Sequence, residues 1–393
     1  MQTADRLHAL DAVRAFALLL GVVQHATLSF IPISGLAPVQ DVAPSATLTG
    51  VSYVGHIFRM HLFFLMAGLF ARMMLHRRGV RGFCNDRLQR ILVPLVVGWI
   101  VLFPVINAAW SWGSSHTLHG SPLLAWPPSP ATFPTSYLWF LYYLLVIYGL
   151  MLLTRQIVLR AAAKLDWADS LVRRLINAPW AAAIALTIPS VLVMLLRETD
   201  WSLIDGIKTP NGSLIPAPLP MFAYGLAFAL GWMIGRNMDL LVPLRQRWGS
   251  HLTAAVLATV ACILIVLAEY TNAAHVPRVL YALGYVFASW CWTFAIVGLA
   301  LRFLSTVSPA RRYVADASYW IYLLHYPIVL ILQDMLADVH WHWLVKFPLI
   351  LGITLAICLV TYHRLVRFTI IGHVLNGRRA PRPSSLKPLA PAT

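Results

Sequence analysis

The sequence predicts an all-α polytopic membrane protein with about ten transmembrane helices and both termini in the cytoplasm. The first reason is composition, because 59% of the residues are hydrophobic and 11% are charged, whereas soluble domains carry about 25% charged residues. The second is that apolar stretches of about twenty residues, the length that crosses a bilayer, recur from end to end. The third is the placement of lysine and arginine, which follows the positive-inside rule.

Ten apolar stretches mark the predicted spans, and polar or proline-rich connections separate them. The first stretch is too long for the core of a signal peptide and lacks an A-x-A-like cleavage site, so we expect it to be retained. We assign residues 1–375 to a single transmembrane domain and the polar, proline-rich residues 376–393 to a disordered cytoplasmic tail. The predicted spans are 9–30, 51–72, 91–110, 137–154, 179–197, 217–236, 252–270, 280–301, 317–337 and 344–363.

The placement of basic residues favours a cytoplasmic location for both termini. With that orientation 24 of the 30 lysines and arginines lie on the inner side. Outer connections such as 31–50 and 111–136 contain no lysine or arginine. The net charge of +16 is therefore a result of membrane topology, and we expect no nucleic-acid partner. The four cysteines show no CxxC or metal-ligand spacing, so we expect no disulfide framework and no metal site.

The first span carries two basic residues, Arg14 and His25. They are eleven residues apart, which puts them on nearly the same helix face and about 16 Å apart along the axis. A charged side chain inside a bilayer costs about 2.5 to 3.5 kcal/mol on insertion scales, so such residues usually face a protein interior. We therefore expect both to be buried at a functional site. The alternative for Arg14 is an ion pair with Asp11, three residues earlier.

The second and ninth spans carry further polar residues that we expect in the same interior. The second span runs in the opposite direction to the first, so His56 and Arg59 should reach the depth of the first-span histidine. Tyr319, Tyr322 and His325 of the ninth span fall at helical spacing. A buried polar cluster that holds helices together is the alternative for these three residues.

Several motifs follow one another along the chain in an order that a known family shares. They are LDxxRA with R-x10-H in the first span, HLFFLMAGLF in the second, an RxxR formed by Arg87 and Arg90, SYLWFLYYLL in the fourth and DASYWIYLLHYP in the ninth. With these motifs the chain resembles the membrane acyltransferase-3 family. The fourth-span motif is most similar to the glucan biosynthesis protein C branch, the succinyltransferases of periplasmic glucans. One departure is Ala67 before Gly68, where the family often has serine.

The resemblance implies an enzyme, a membrane-bound O-acyltransferase that depends on acyl-coenzyme A. It implies transfer of an acyl group from cytoplasmic acyl-CoA to hydroxyls of a periplasmic glycan, at the bacterial inner membrane. We expect succinyl-CoA as the donor, with acetyl-CoA as the alternative, and no permanently bound cofactor. The expected partners are this donor, the glycan and the lipid bilayer. The sequence leaves open the identity of the acceptor, the oligomeric state and whether an acyl-enzyme forms.

On this resemblance the donor would bind along the inner half of the chain. Arg14 would contact the phosphopantetheine arm, and Arg87 and Arg90, one turn apart at the inner surface, would hold the nucleotide phosphates. The three ninth-span residues named above would line the path of the donor. The positive-inside pattern explains two arginines at that surface equally well.

The catalytic and acceptor sites would lie on the outer side. A neutral imidazole has a pKa near working pH, so His25 suits a general base that takes the proton from the attacking sugar hydroxyl. Arg59 would stabilise the oxyanion or pair with the free carboxylate of a succinyl group, with snorkelling to the interface as the alternative. Glu269 is the candidate that orients the base. His56 and Trp139 would contact the acceptor, although an aromatic belt also explains the tryptophan.

A different class of function stays open at this point. A secondary transporter of a glycan or sugar acid would use Arg14, Arg59 and His325 as substrate or proton sites. Such transporters often contain inverted repeats, and the predicted spans show no internal symmetry of length or motif. Coupling of uptake to a proton gradient would distinguish the transporter from the enzyme.

Overall fold

The computed structural model describes residues 3–33, 37–120, 129–160, 165–271 and 277–376. Within these ranges the chain is almost entirely helical. A hairpin of two short antiparallel strands, β1 (Trp201–Ser202) and β2 (Gly206–Ile207), follows the sixth helix. The helices are α1 (Thr3–Thr27), α2 (Ala46–Arg87), α3 (Val93–His116), α4 (Trp139–Arg160), α5 (Leu165–Asn177), α6 (Ala181–Leu196), α7 (Pro218–Arg236), α8 (Leu241–Gln246), α9 (Trp248–Tyr270), α10 (Arg278–Phe303), α11 (Pro309–Leu336), α12 (Trp343–Thr361) and α13 (Ile370–Asn376).

Each of the ten predicted spans falls on one of these helices. By length and hydropathy, eight stretches of the described chain can cross a membrane, or nine when the α5–α6 pair, bent by 114°, is counted as one span. One of the eight is the 71-residue stretch Ala46–His116, which holds the second and third predicted spans and has a break in helical geometry at Gly79. The prediction of an all-α polytopic membrane protein is confirmed. The number ten and the cytoplasmic termini stay predictions, and residues 377–393 of the predicted tail lie outside the described ranges.

The fifth predicted span matches a helix that is too short to cross a membrane by itself. It corresponds to α6, which has 16 residues, whereas a straight crossing needs about 20. This region is long enough to cross a membrane only when α5 and α6 are counted together, and the two helices are separated by a sharp bend. An apolar run in a sequence shows hydrophobicity, but it does not show where the backbone turns.

Glycines bring α2 and α7 into close contact. A methyl group on Gly68 would collide with the carbonyl oxygen of Phe228, and one on Gly231 would collide with the carbonyl oxygen of Leu65. Small residues at such points let two helix backbones approach each other, which is how membrane helices gain packing energy. Helix α2 also packs against α1 and α10, and α1 packs against α10 and α11. The helices that carry the polar residues of the second and ninth predicted spans, α2 and α11, therefore both pack against α1, which carries those of the first.

A buried ion pair fixes the connection between α1 and α2. Lys346, at the start of α12, donates to the two carboxylate oxygens of Asp41 at 2.7 and 2.9 Å, and its side chain is fully buried. Backbone hydrogen bonds from Asp41 to Ser29 and from Val42 to Ala337 hold the same segment. The connection is thus tied both to the end of α1 and to the turn between α11 and α12.

Candidate functional site

His25 lies near the end of α1, with its ring among side chains from α11 and from the residues just before α4. Its ring centroid is 4.7 Å from that of Tyr326, 5.1 Å from that of His325 and 6.4 Å from that of Tyr137. The side-chain amide of Gln333 donates to the backbone carbonyl of His25 at 3.0 Å. Helix α11 therefore contacts both the ring and the backbone of this residue.

Two imidazole nitrogens in this group have no hydrogen-bond partner in the described parts of the chain. His325 Nδ1 lies 2.7 Å from the carbonyl of Tyr322 and 3.0 Å from that of Ile321. Because a carbonyl only accepts, Nδ1 carries the proton and Nε2 of the neutral ring is an acceptor. His325 Nε2 and His25 Nδ1 are both buried and without a partner among the described residues. Such unpaired buried groups are rare and often belong to sites that act on a ligand.

His56 and Arg59 approach the same region from α2. His56 Nε2 donates to the carbonyl of Ile207 at 2.8 Å, and Nδ1 accepts from the amide of Gln24 at 3.1 Å. Both ring nitrogens of His56 are therefore engaged, and the ring is held in one neutral tautomer. Arg59 is 7% exposed, and its Nη1 lies 3.4 Å from the place that a Cβ on Gly21 would take, one turn before His25.

Several of these side chains, but not that of His325, line one large cavity of about 900 Å³. His25, His56, Arg59 and Trp139 all belong to its wall, so the structure brings together four of the residues that the sequence predicts for the outer site. The connection after α1, the start of α2, the β1–β2 turn with the segment that follows β2, and the last part of α9 add to the wall. This volume is in the range of ordinary small-ligand sites.

Glu269, the predicted orienting residue, lies one residue from the end of α9. It is not among the cavity-lining residues, although Leu267 and Tyr270 on either side of it are. Its role in orienting His25 stays a prediction. Contacts to His25 come instead from His325 and Tyr326, at the distances given above.

The structure corrects the expectation that Arg14 is buried. Its side chain is 43% exposed, and it forms an ion pair with Asp11 at 3.6 Å. This ion pair was the alternative expected from the sequence, and the predicted contact of Arg14 with the phosphopantetheine arm stays a prediction. Arg14 is exposed because its side chain lines a cavity at this end of α1, whereas its neighbour Val13 points into the packed interior. The guanidinium also lies 5.8 Å from the ring centroid of Phe70.

Arg87 and Arg90 flank a buried acid at the junction of α2 and α3. Arg90 Nε lies 3.3 Å from Asp86 Oδ1, and Arg87 Nε lies 3.9 Å from Asp86 Oδ2. The Arg87 guanidinium also lies 5.0 Å from the ring centroids of Phe83 and Tyr148. These contacts give both arginines a packing role, and their predicted contact with nucleotide phosphates stays a prediction.

The tyrosines of α11 use their hydroxyls on backbone carbonyls. Tyr319 donates to Arg90, and Tyr322 donates to Tyr137 at 3.0 Å. The hydroxyl of Tyr137 donates in return to the carbonyl of Leu323. The three bonds join α11 to the segment before α3 and to the residues that precede α4, which agrees with the alternative of a buried polar cluster.

Sequence reasoning missed two residues that fix this site, Gln333 and the Ile207 carbonyl. A glutamine inside an apolar span is costly unless it is paired, so Gln333 carried a signal that could have been used. No signal in the sequence pointed to the Ile207 carbonyl, because a residue of any type has a backbone carbonyl. Its partner His56 is 151 positions away in the chain.

Residues 7–363 match the sequence model of a family described as an acyltransferase domain, the acyltransferase-3 family. The chain belongs to this family. The acyltransferase is similar to proteins called glucans biosynthesis protein C from Escherichia coli O1:K1, O139:H28 and O9:H4, with 31% identity over 152 residues in each case. The aligned part covers 37% of this chain and 37% of each relative. No solved structure matches it.

Proposed function

We propose that this multi-pass acyltransferase moves an acyl group from cytoplasmic acyl-CoA to a hydroxyl of a periplasmic glycan, at the bacterial inner membrane. Succinyl is the expected group and acetyl is the alternative. The observation that carries the proposal is His25 on the wall of the 900 Å³ cavity, beside the buried cation Arg59. The names of the similar proteins, which refer to glucan biosynthesis, support the acceptor class.

The chemistry requires a base and a site for negative charge. The acceptor oxygen attacks the thioester carbonyl while the His25 imidazole takes the hydroxyl proton. The C–S bond then breaks, the coenzyme A thiolate leaves, and the proton passes from His25 to its sulfur. The tetrahedral intermediate carries a negative oxygen, which a preorganised cation stabilises in a water-poor site.

Arg59 is available for such an anion. Among the described residues no carboxylate lies within ion-pair distance of its guanidinium, and its buried Nε has no hydrogen-bond partner. A buried, unpaired guanidinium is costly, so a substrate anion is the partner that the site lacks. The developing oxyanion and the free carboxylate of a succinyl group both meet this requirement.

His325 is the neighbour that supports the base in this proposal. When His25 takes a proton, both of its ring nitrogens become donors. His325 Nε2 is an unpartnered acceptor, and the two ring centroids are 5.1 Å apart. A small ring movement would let His325 accept a hydrogen bond from the His25 imidazolium. Glu269 is the carboxylate alternative for the same task.

Mass spectrometry of donors and glycans tests the proposed function. Purified protein is mixed with succinyl-CoA or acetyl-CoA and a periplasmic glycan extract. We expect loss of one thioester and a matching mass gain on the glycan, with no transfer by His25→Ala. The variant should still bind the donor, because the base acts only on the acceptor proton.

The matched control is His340→Ala, which removes an exposed histidine outside the cavity and should transfer normally. Equal turnover by His25→Ala and the wild type would overturn the mechanism. Binding of neither donor to the wild type would overturn the function and favour the transporter.

A further inference from the structure

A second cavity, of about 210 Å³, lies at the opposite end of α1 from His25. Its wall is formed by the first half of α1, the turn after α10 and the start of α11. Among the described residues, three arginines line it, Arg14, Arg311 and Arg312, together with the acids Asp11 and Asp316. No sequence motif predicted a role for Arg311 or Arg312.

One nitrogen of the Arg311 guanidinium lacks a hydrogen-bond partner among the described residues. Its Nη2 donates to the carbonyl of Thr306 at 2.7 Å and to the hydroxyl of the same residue at 2.9 Å. Its Nη1 is buried and has no partner among the described residues. A buried donor on a cation costs free energy when it is unpaired, more than a neutral donor does. An anion in the cavity would supply the missing acceptor.

The N-terminus of α11 also favours an anion in this cavity. Ser308 caps the helix by accepting from the backbone N–H of Arg311, and the helix runs for 28 residues from Pro309. A helix N-terminus carries a partial positive charge and favours negative groups. Because three guanidiniums face two carboxylates, of which Asp11 already pairs with Arg14, the cavity keeps a positive balance.

We propose that this cavity binds a phosphate group of the acyl-CoA donor, with Arg311 and Arg312 as its principal contacts. The proposal rests on the proposed function, because that function supplies the ligand. The volume of the cavity suits a phosphate better than a whole nucleotide. Arg14 lies on its wall and His25 lies eleven residues further along the same helix, so a phosphate held here leaves the rest of the donor pointing along α1.

Donors that differ only in their phosphates test this inference. The set is succinyl-CoA, its form without the 3′-phosphate, and succinyl-pantetheine, which has no phosphate. In Arg312→Ala we expect the KM for succinyl-CoA to rise about tenfold with little change in kcat, because hydrogen bonds to charged groups are worth about that factor. The KM for succinyl-pantetheine should not change. The donor without its 3′-phosphate shows which phosphate is bound, according to whether the variant still affects it.

Arg311→Lys is the second variant, since Arg311→Ala would also remove the bonds to Thr306. It keeps the charge and loses the paired geometry, so a smaller rise in KM is expected. Arg302→Ala is the matched control, because it removes an exposed arginine from the last turn of α10 without touching the cavity.

Three outcomes would overturn the inference. They are an unchanged KM for succinyl-CoA in Arg312→Ala, an equal loss with succinyl-pantetheine, and a loss seen only in bilayers that contain anionic lipid. The last outcome would assign the cavity to a lipid headgroup. Each of them leaves the proposed function intact as long as the wild type turns over succinyl-CoA. A wild type that turns over no thioester would instead remove the function itself.

Discussion

Replacing Arg59 distinguishes the two anions that it is proposed to bind, the oxyanion of the intermediate and the free carboxylate of a succinyl group. In Arg59→Gln the charge is lost at a place where no protein carboxylate among the described residues needs it. We expect the KM for succinyl-CoA to rise about 10- to 100-fold, as for loss of a charge-assisted hydrogen bond, while acetyl transfer stays near the wild-type level. Steady-state kinetics with both donors measure this.

The matched control for that prediction is Arg197→Gln, which removes an exposed arginine outside the cavity and should leave both reactions unchanged. An equal fall of kcat with the two donors would assign Arg59 to the oxyanion instead. Normal kinetics with both would remove Arg59 from either role.

At the scale of single residues, the sequence predicted side chains that share the large cavity. The opposite directions of the first two spans were enough to expect His25, His56 and Arg59 close together, and all three line its wall. The partners of these residues were less accessible to prediction. The tautomer of His56 depends on a carbonyl in a distant hairpin, and the exposure of Arg14 depends on where the helix meets the surface.

The β1–β2 hairpin holds His56 through the hydrogen bond between the His56 ring and the Ile207 carbonyl. Gly206 has a φ of +61°, and a Cβ there would collide with the ring of Tyr285. Gly206→Ala should therefore displace Ile207 and break its bond to His56, because the left-handed backbone costs a non-glycine residue about 1 to 2 kcal/mol before any collision. We expect reduced transfer and a lower Tm, measured on the purified protein.

Gly212→Ala is the control in the same loop, since no atom lies within 4 Å of the Cβ it would add. It should keep wild-type transfer and Tm. A Gly206→Ala protein with normal activity would show that the hairpin does not have to hold His56.

At the scale of elements, hydropathy located every predicted span on a helix but not the ends of those helices. Helix α2 runs from Ala46 to Arg87, well beyond the predicted 51–72. The reason is that the polar residues after the apolar stretch are helical as well. The hairpin and the bend between α5 and α6 left no trace in hydropathy. Both depend on backbone geometry and on tertiary contacts rather than on apolar content.

The Asp41–Lys346 pair joins parts of the molecule that are 305 residues apart. Lys346→Met leaves a buried carboxylate without its cation, which costs about 3 to 5 kcal/mol in proteins where it has been tested. We expect a large loss of stability in denaturant or thermal unfolding. The double variant Asp41→Asn with Lys346→Met should recover most of it, because no buried charge is then unpaired.

Lys208→Met, at an exposed lysine, serves as the control and should unfold like the wild type. A single Lys346→Met variant as stable as the double variant would contradict the prediction. It would mean that Asp41 can reach solvent or another donor without cost.

The side-by-side packing of α1 and α11 has a consequence for donor selection. Both helices begin near the arginine-lined cavity, and each carries one of the two histidines whose ring centroids are 5.1 Å apart, His25 and His325. Helical rise sets the separation at about 16 Å along α1, between Arg14 and His25. Because helices do not stretch, a donor anchored by its phosphate reaches the base only if its carrier arm has the matching length. Under the two proposals above, the enzyme selects thioesters by the length of the arm as well as by the acyl group.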